Sequence, residues 1–297
     1  MTGLETGFLL LTCRLGNPDR KVLTMAQMRT LAQRVRDIAI DDADRDLTAA
    51  DLTALGYGQE MAERIVALLN EQALLNVYLR RAAKTGCVPI SRISEPYPLE
   101  LRKRLGLDSP GCLWAKGDLS LLETPMIALV GSRELLDANR VFAEEVGRQA
   151  ARQGFTLVSG NARGADRAAQ NACLASGGKV ISVVADSLVE KKVRDNLLYL
   201  SEEAFDAEFS AQRALSRNRC VHALGALTFV AQCGLHAGGT WDGTVKNLRH
   251  GWSDVYCFDD GSEVMAELEQ MGAERIDADS LKDFCSLYTN VRSFLDE

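Results

Sequence analysis

"LVSGNARGADRAAQNA", residues 157–172, decides the fold. Four apolar or small residues ending in Ser159-Gly160 stop abruptly, the chain passes through Asn161 and Gly164, and helical periodicity sets in from Ala165. A strand that becomes a helix over a polar, glycine-containing corner is one βα unit of an α/β protein. The free N–H groups and positive dipole end of such a helix favour an anion. What the corner holds is the functional question.

Working outward, the pattern repeats. From Met126 on, "MIALVGS", "FTLVSGN", "KVISVVAD", "LLYLSE", "ALTFVAQ" and "DVYCFD" are short and mostly uncharged, as strands covered on both faces are. Amphipathic stretches such as "ANRVFAEEVGRQAARQG" and "RAAQNACLASGG" separate most of them. Alternation of this kind predicts a Rossmann-like, doubly wound, mainly parallel sheet. The block "SEVMAELEQMGAERIDADSLKDFCSLY" closes it with one or two helices and a short edge strand at residues 274–277.

The chain before this point reads differently. Residues 23–38 place Leu23, Met28, Leu31, Val35 and Ile38 at helical spacing, with Thr24 as N-cap. Residues 47–69 hold two short helical patterns around Gly56-Tyr57-Gly58, and residues 76–86 continue the helical character to a glycine. The "LGYGQEMAERI" segment matches a helix-hairpin-helix, whose glycine N–H groups contact a phosphate backbone; the bland reading gives Met61, Ile65 and Leu68 a packing role. Residues 87–125 carry five of the six prolines and read as a connector with turns. The expected division is therefore a small all-α domain of the helix-hairpin-helix or SAM-like kind over residues 1–86 and an α/β domain over 87–297.

Composition narrows the function classes. The 297 residues are 46% hydrophobic and 25% charged, ordinary for a globular protein, with no long apolar span and no basic leader. Eight cysteines without a Cys-x-x-Cys pair suggest reduced thiols in a cytoplasmic protein, and the three widely spaced histidines suggest no metal site. The net charge of −7 is uneven. Residues 1–125 carry 16 basic and 16 acidic groups, residues 126–258 carry 15 and 14, and residues 259–297 carry 3 and 11. The acidity sits in the last segment, leaving room for a local basic groove.

Ligands of a doubly wound sheet bind beyond the carboxyl ends of the strands. Three polar clusters fall there. "VGSRE" offers Gly131 for a tight turn, the Ser132 hydroxyl and the planar Arg133 fork. The opening corner offers Ser159, Gly160, Asn161, Arg163, Gly164 and Asp166. "LSRNR" offers Arg217, Asn218 and Arg219 just before the helical "CVHALG". Each has a bland reading as a turn, a cap or a solvated helix start. Convergence of Arg133, Arg163, Arg217 and Arg219 on one edge would be costly without an anion. No Gly-x-Ser-x-Gly elbow, Walker loop or dinucleotide Gly-x-Gly-x-x-Gly is present, so no catalytic residue and no cofactor is expected.

In order along residues 97–258, the "YPLELRKRLGLDSPGCLWAKGDLSLL" lead-in, "VGSR", "VSGNARGAD", "SE" at Ser201-Glu202 and "RNR" at Arg217 to Arg219 resemble the DprA/Smf family of bacterial DNA-processing proteins. The resemblance implies an extended Rossmann-like domain that binds single-stranded DNA with little sequence preference, as a homodimer that loads a RecA-type recombinase during natural transformation. It carries the positive pocket onto Arg133, Arg163, Arg217 and Arg219, with Ser132, Ser159, Gly160, Gly164 and Asp166 shaping its floor. The chain departs from the family pattern at "ADSLVEKKVRDNLLYL" and at "CGLHAGGTWDGTVKNL", which keeps Gly238, Gly239 and Thr240 but inserts Trp241 and Asp242. No C-terminal winged helix is expected after residue 258. Two other classes compete with a DNA binder. One is a pocket for a nucleotide or its derivative, with hydrolysis at Glu202; the other is a recruiting module acting through the acidic segment or the helices.

Overall fold

Ile127 and Leu129 pack on one side of the sheet and Ala128 and Val130 on the other, the two-residue alternation of a strand buried on both faces. The structure, a computed structural model, describes residues 1–36 and 46–287. The strands are β1 (Val88–Ser91), β2 (Cys112–Gly117), β3 (Met126–Val130), β4 (Thr156–Ser159), β5 (Lys179–Val183), β6 (Leu197–Ser201), β7 (Leu227–Val230), β8 (Asp254–Phe258) and β9 (Glu274–Ile276). They form one sheet in the order β1-β2-β6-β5-β4-β3-β7-β8-β9. From β6 to β9 every neighbour is parallel, with Ala128 opposite both Val158 and Thr228. The expected doubly wound α/β fold is present.

The helices are α1 (Gly3–Thr12), α2 (Met25–Arg36), α3 (Ala49–Ala54), α4 (Gln59–Leu69), α5 (Gln72–Lys84), α6 (Leu99–Leu105), α7 (Asp137–Arg152), α8 (Ala165–Ala175), α9 (Ala211–Leu224), α10 (Gly238–His250) and α11 (Glu263–Gln270). Phe142, Val146 and Ala150 of α7 and Ala169 and Cys173 of α8 cover one face of the sheet. Val221 and Leu224 of α9, Val245 of α10 and Met265 and Leu268 of α11 cover the other. Gly147 lets α7 and α8 approach until a Cβ there would strike the Ala169 carbonyl. The chain leaves β3 through α7 toward β4 and returns through α9 to β7, so the order reverses between β3 and β7. That reversal is where a ligand is expected.

Two parts differ from the sequence reading. The proline-rich connector contains β1 and β2, which pair antiparallel with each other, and β2 pairs antiparallel with β6, so the sheet is wider. Pro89 is tolerated because β1 is an edge strand. The helical part also shares its core with the sheet: Leu9, Leu10, Tyr78 and Ala82 pack with Trp114, Leu188 and Phe205. Tyr78 and Arg81 both bond the Asp206 carboxylate, at 2.7 and 2.8 Å. Thr24 caps α2 as expected, exchanging hydrogen bonds with Gln27. The last two residues expected in that helix, Asp37 and Ile38, lie outside the described residues, as do 288–297 of the acidic segment. All eight cysteines are free, and only Cys285 is exposed. Among the described residues no helix is long and apolar enough to cross a membrane.

Candidate functional site

The corner after β4 is held by backbone rather than by the side chains that first draw notice. Gly164, at φ +87°, brings the loop so close to β3's exit that a Cβ would overlap the Ser132 and Arg133 carbonyls. The Ala165 N–H then donates to the Ser132 carbonyl at 3.1 Å. A Cβ on Gly131 would sit 2.5 Å from that of Ala165, so both glycines serve one close contact between two corners. Asn161 takes the left-handed conformation, and the Asp166 carboxylate accepts the Ala162 N–H at 3.0 Å to close the turn. Ser159 is buried under this floor, its hydroxyl accepting from Gln170 at 2.6 Å.

Two hollows flank the corner. A cavity of about 480 Å³ lies at the switch point, lined by Gly131, Ser132, Arg133, Asp166, Arg217 and Asn218 together with the loop from Gly234 to Thr240. A groove of about 490 Å³ continues from it along α8. Arg133, Gly160, Ala162 and Arg217 belong to both. The groove adds Asn161, Arg163, Arg167 and Lys191, with Asp186 as its one carboxylate. Phe209 lies on its rim, 57% exposed.

Arg217 is the central group. It is 6% exposed, its guanidinium lies against Gly160 where a Cβ would overlap it, and its Nη1 donates to the Val183 carbonyl at 2.7 Å. Its Nε has no hydrogen-bond partner among the described residues. Burial pushes the guanidinium pKa down, opposed by Asp166, and burial pushes the Asp166 carboxyl up, opposed by Arg217 and Arg133. The guanidinium lines both hollows, and a cation so placed is suited to receiving an anionic oxygen. Arg133 and Arg167 are exposed, and their side chains make no hydrogen bond or ion pair among the described residues. Arg163 reaches Glu134 at 3.1 Å and Lys191 reaches Asp186 at 2.6 Å.

Arg219 does not join this cluster. "RNR" lies inside α9 rather than ahead of it. Residues two apart on a helix point about 200° apart, so Arg217 and Arg219 diverge. Arg219 pairs with the buried Glu202 at 2.7 Å and donates to the Asp108 carbonyl at 3.2 Å on the far side of α9. Asn218, between them, donates to the Gly239 carbonyl at 2.9 Å and holds the start of α10. Arg167, Lys191 and Phe209 are additions that the sequence reading lacked. Arg167 alone carried a signal, three residues past Gly164 in the first turn of the helix behind the corner. Among the described residues no group of three or more His, Cys, Asp or Glu could hold a metal ion.

Fold and site together define a doubly wound α/β protein with a cationic edge at its switch point. The chain belongs to the DNA recombination-mediator protein A family, which it matches over residues 89–260. It is 32% identical over 158 residues to the DNA processing protein DprA of Streptococcus pneumoniae, an overlap covering 50% of this chain and 55% of that protein. The chain spans about half the length of the curated relatives it matches. The X-ray structure of DNA processing protein A from Streptococcus pneumoniae superposes with a TM-score of 0.62 at 24% identity, covering 86% of this chain and 95% of that one. A structure of DNA processing protein A from Helicobacter pylori, described for its single-stranded DNA binding mode, gives 0.54 at 24% identity over 64% and 90%. These structural likenesses show the shared fold.

Proposed function

We propose that this chain binds single-stranded DNA along the groove beside α8 and the adjoining cavity. The observation that carries the reading is the company Arg217 keeps: a guanidinium lining both hollows, flanked by Arg133 and Arg167, which make no ion pair among the described residues, and by an exposed Phe209. Cations tracking a backbone and an aromatic ring for a base are the usual means of gripping a single strand without reading its sequence. The DNA-binding residues are then Gly131, Ser132, Arg133, Gly160, Asn161, Arg163, Arg217 and Asn218, with Arg167, Lys191 and Phe209 added. Ser159, Gly164 and Asp166 shape the floor, and Arg219 acts from the other side of α9. Membership of a recombination-mediator family supports extending the proposal to a cytoplasmic homodimer that loads a RecA-type recombinase on incoming strands in natural transformation, without catalysis or cofactor. The cavity at the switch point, about 480 Å³, favours a second reading as a nucleotide site.

Binding of a labelled oligo-dT followed by anisotropy, with AMP and ADP as competitors, separates the two. Salt-sensitive binding that Arg133→Ala, Arg217→Ala abolishes and nucleotides fail to displace is the expected result. Nucleotide binding without oligonucleotide binding would replace the proposal with the second reading. Faster recombinase assembly on protein-coated strands is the expected sign of the loading role.

A further inference from the structure

A third hollow, of about 920 Å³, opens on the far side of α9 and is not used by the arginine groove. Its wall is aromatic. Trp241 meets His236 edge-on at 4.9 Å, and His250 stacks on Trp252 at 5.3 Å and 8°. Trp241 is half-buried, anchored on the core below with part of its ring open to the hollow. Its cations are already matched: Arg219 by Glu202 at 2.7 Å and Lys246 by Asp242 at 2.8 Å, with Asp108 also on the wall. The groove beside α8 has a surplus of positive charge and this hollow does not. A phosphate belongs in the former, and a flat, polarizable, uncharged ring suits the latter.

The three hollows are neighbours. The switch-point cavity shares Arg133, Gly160 and Arg217 with the groove, and shares Leu215, Gly238 and Gly239 with the aromatic hollow. Gly239 lets the start of α10 lie close on α9 at the boundary: a Cβ there would stand 3.1 Å from the Asn218 amide and 3.2 Å from the Leu215 side chain. Trp241 and Asp242, in the first turn and a half of α10, stand on the wall of the aromatic hollow.

We propose that the aromatic hollow is a base-binding subsite, in which one unstacked nucleobase of a strand bound in the arginine groove packs against Trp241. The inference rests on the single-stranded DNA reading and adds a second point of contact to it. A strand long enough to reach from the groove to this hollow gains a stacking contact that a short one lacks.

Two readouts on the full chain test it. Of the three tryptophans, Trp114 is fully buried in the helical cluster, while Trp241 and Trp252 line this hollow, so tryptophan emission reports on the subsite and the anisotropy of an end label reports on binding itself. An oligo-dT of about 20 nucleotides is expected to quench tryptophan emission on binding, and one of about 4 nucleotides is not. Trp241→Leu is expected to weaken the long oligonucleotide about 5- to 150-fold relative to the short one. Trp241→Phe, which keeps a ring, is expected to retain most of that difference and so separates stacking from a folding defect. Salt-sensitive binding of the long oligonucleotide with no quenching and no loss in Trp241→Leu would overturn the subsite and leave the groove standing. Absence of salt-sensitive binding at either length would overturn both.

Discussion

Replacing Arg133 and Arg167 by alanine removes the two exposed groove cations that have no partner among the described residues, and the salt dependence of DNA binding measures what is lost. Three groove cations, Arg133, Arg167 and Arg217, make no ion pair within 4 Å among the described residues; Arg163 and Lys191 are paired with Glu134 and Asp186. Between about three and about five phosphates are therefore neutralised, depending on whether the paired cations are released to the strand. At about 0.7 counterions released per contact, log K against log salt should fall with a slope of about −2 to −3.5. Raising salt fourfold, from about 50 to about 200 mM, then weakens binding about 20- to 130-fold. The double variant should lose about 1.4 from that slope as well as affinity at low salt. Anisotropy of labelled oligo-dT over five or six salt concentrations supplies both numbers. A wild-type slope shallower than about −1, or equal slopes for the two proteins, would refute the assignment of these side chains to phosphates.

Other outcomes follow from single contacts. Gly160→Ala places a methyl group in the Arg217 guanidinium, which must then shift from its place; a stability loss of about 1–3 kcal/mol and weakened oligonucleotide binding are expected by urea titration and anisotropy. Wild-type stability and binding in that variant would mean that Arg217 does not rest on Gly160. His222 is fully buried, and burial pushes its pKa down from 6.5 to about 3. The unfolded chain therefore binds the extra proton between those values, and stability falls as pH drops through them. From pH 7 to 5 the wild type should lose up to about 2 kcal/mol that His222→Gln does not, a difference seen in urea midpoints at the two pH values. A fragment of residues 87–297 uncovers Trp114 and Phe205, now packed under Tyr78 at ring separations of 5.2 and 4.8 Å. Lowered stability and red-shifted tryptophan emission are expected of it, and an unchanged melting curve would establish residue 87 as a true domain seam.

The parallel strands, their two covering layers and the glycine corners were legible in the sequence because each is a local signal. Runs such as "MIALV" and "TLVS" are apolar on both faces whatever they pair with, and Gly131 and Gly164 stand where the backbone itself must turn or approach closely. The helical start of α8 and the edge strand β9 follow from the same kind of local pattern. Tertiary structure alone decided the rest. β1 and β2 are strands because β6 offers a free edge far along the chain, and nothing inside a four-residue segment containing proline announces such a partner. Arg217 and Arg219 looked equivalent as letters, yet the 100° step of α9 sends one to a buried place on Gly160 and the other to Glu202 across the helix. Arg167, Lys191 and Phe209 reach one groove from a helix and two different loops. A sequence records which side chains exist and what their neighbours along the chain favour; which of them share a hollow is set by long-range pairing and packing, which no local pattern encodes.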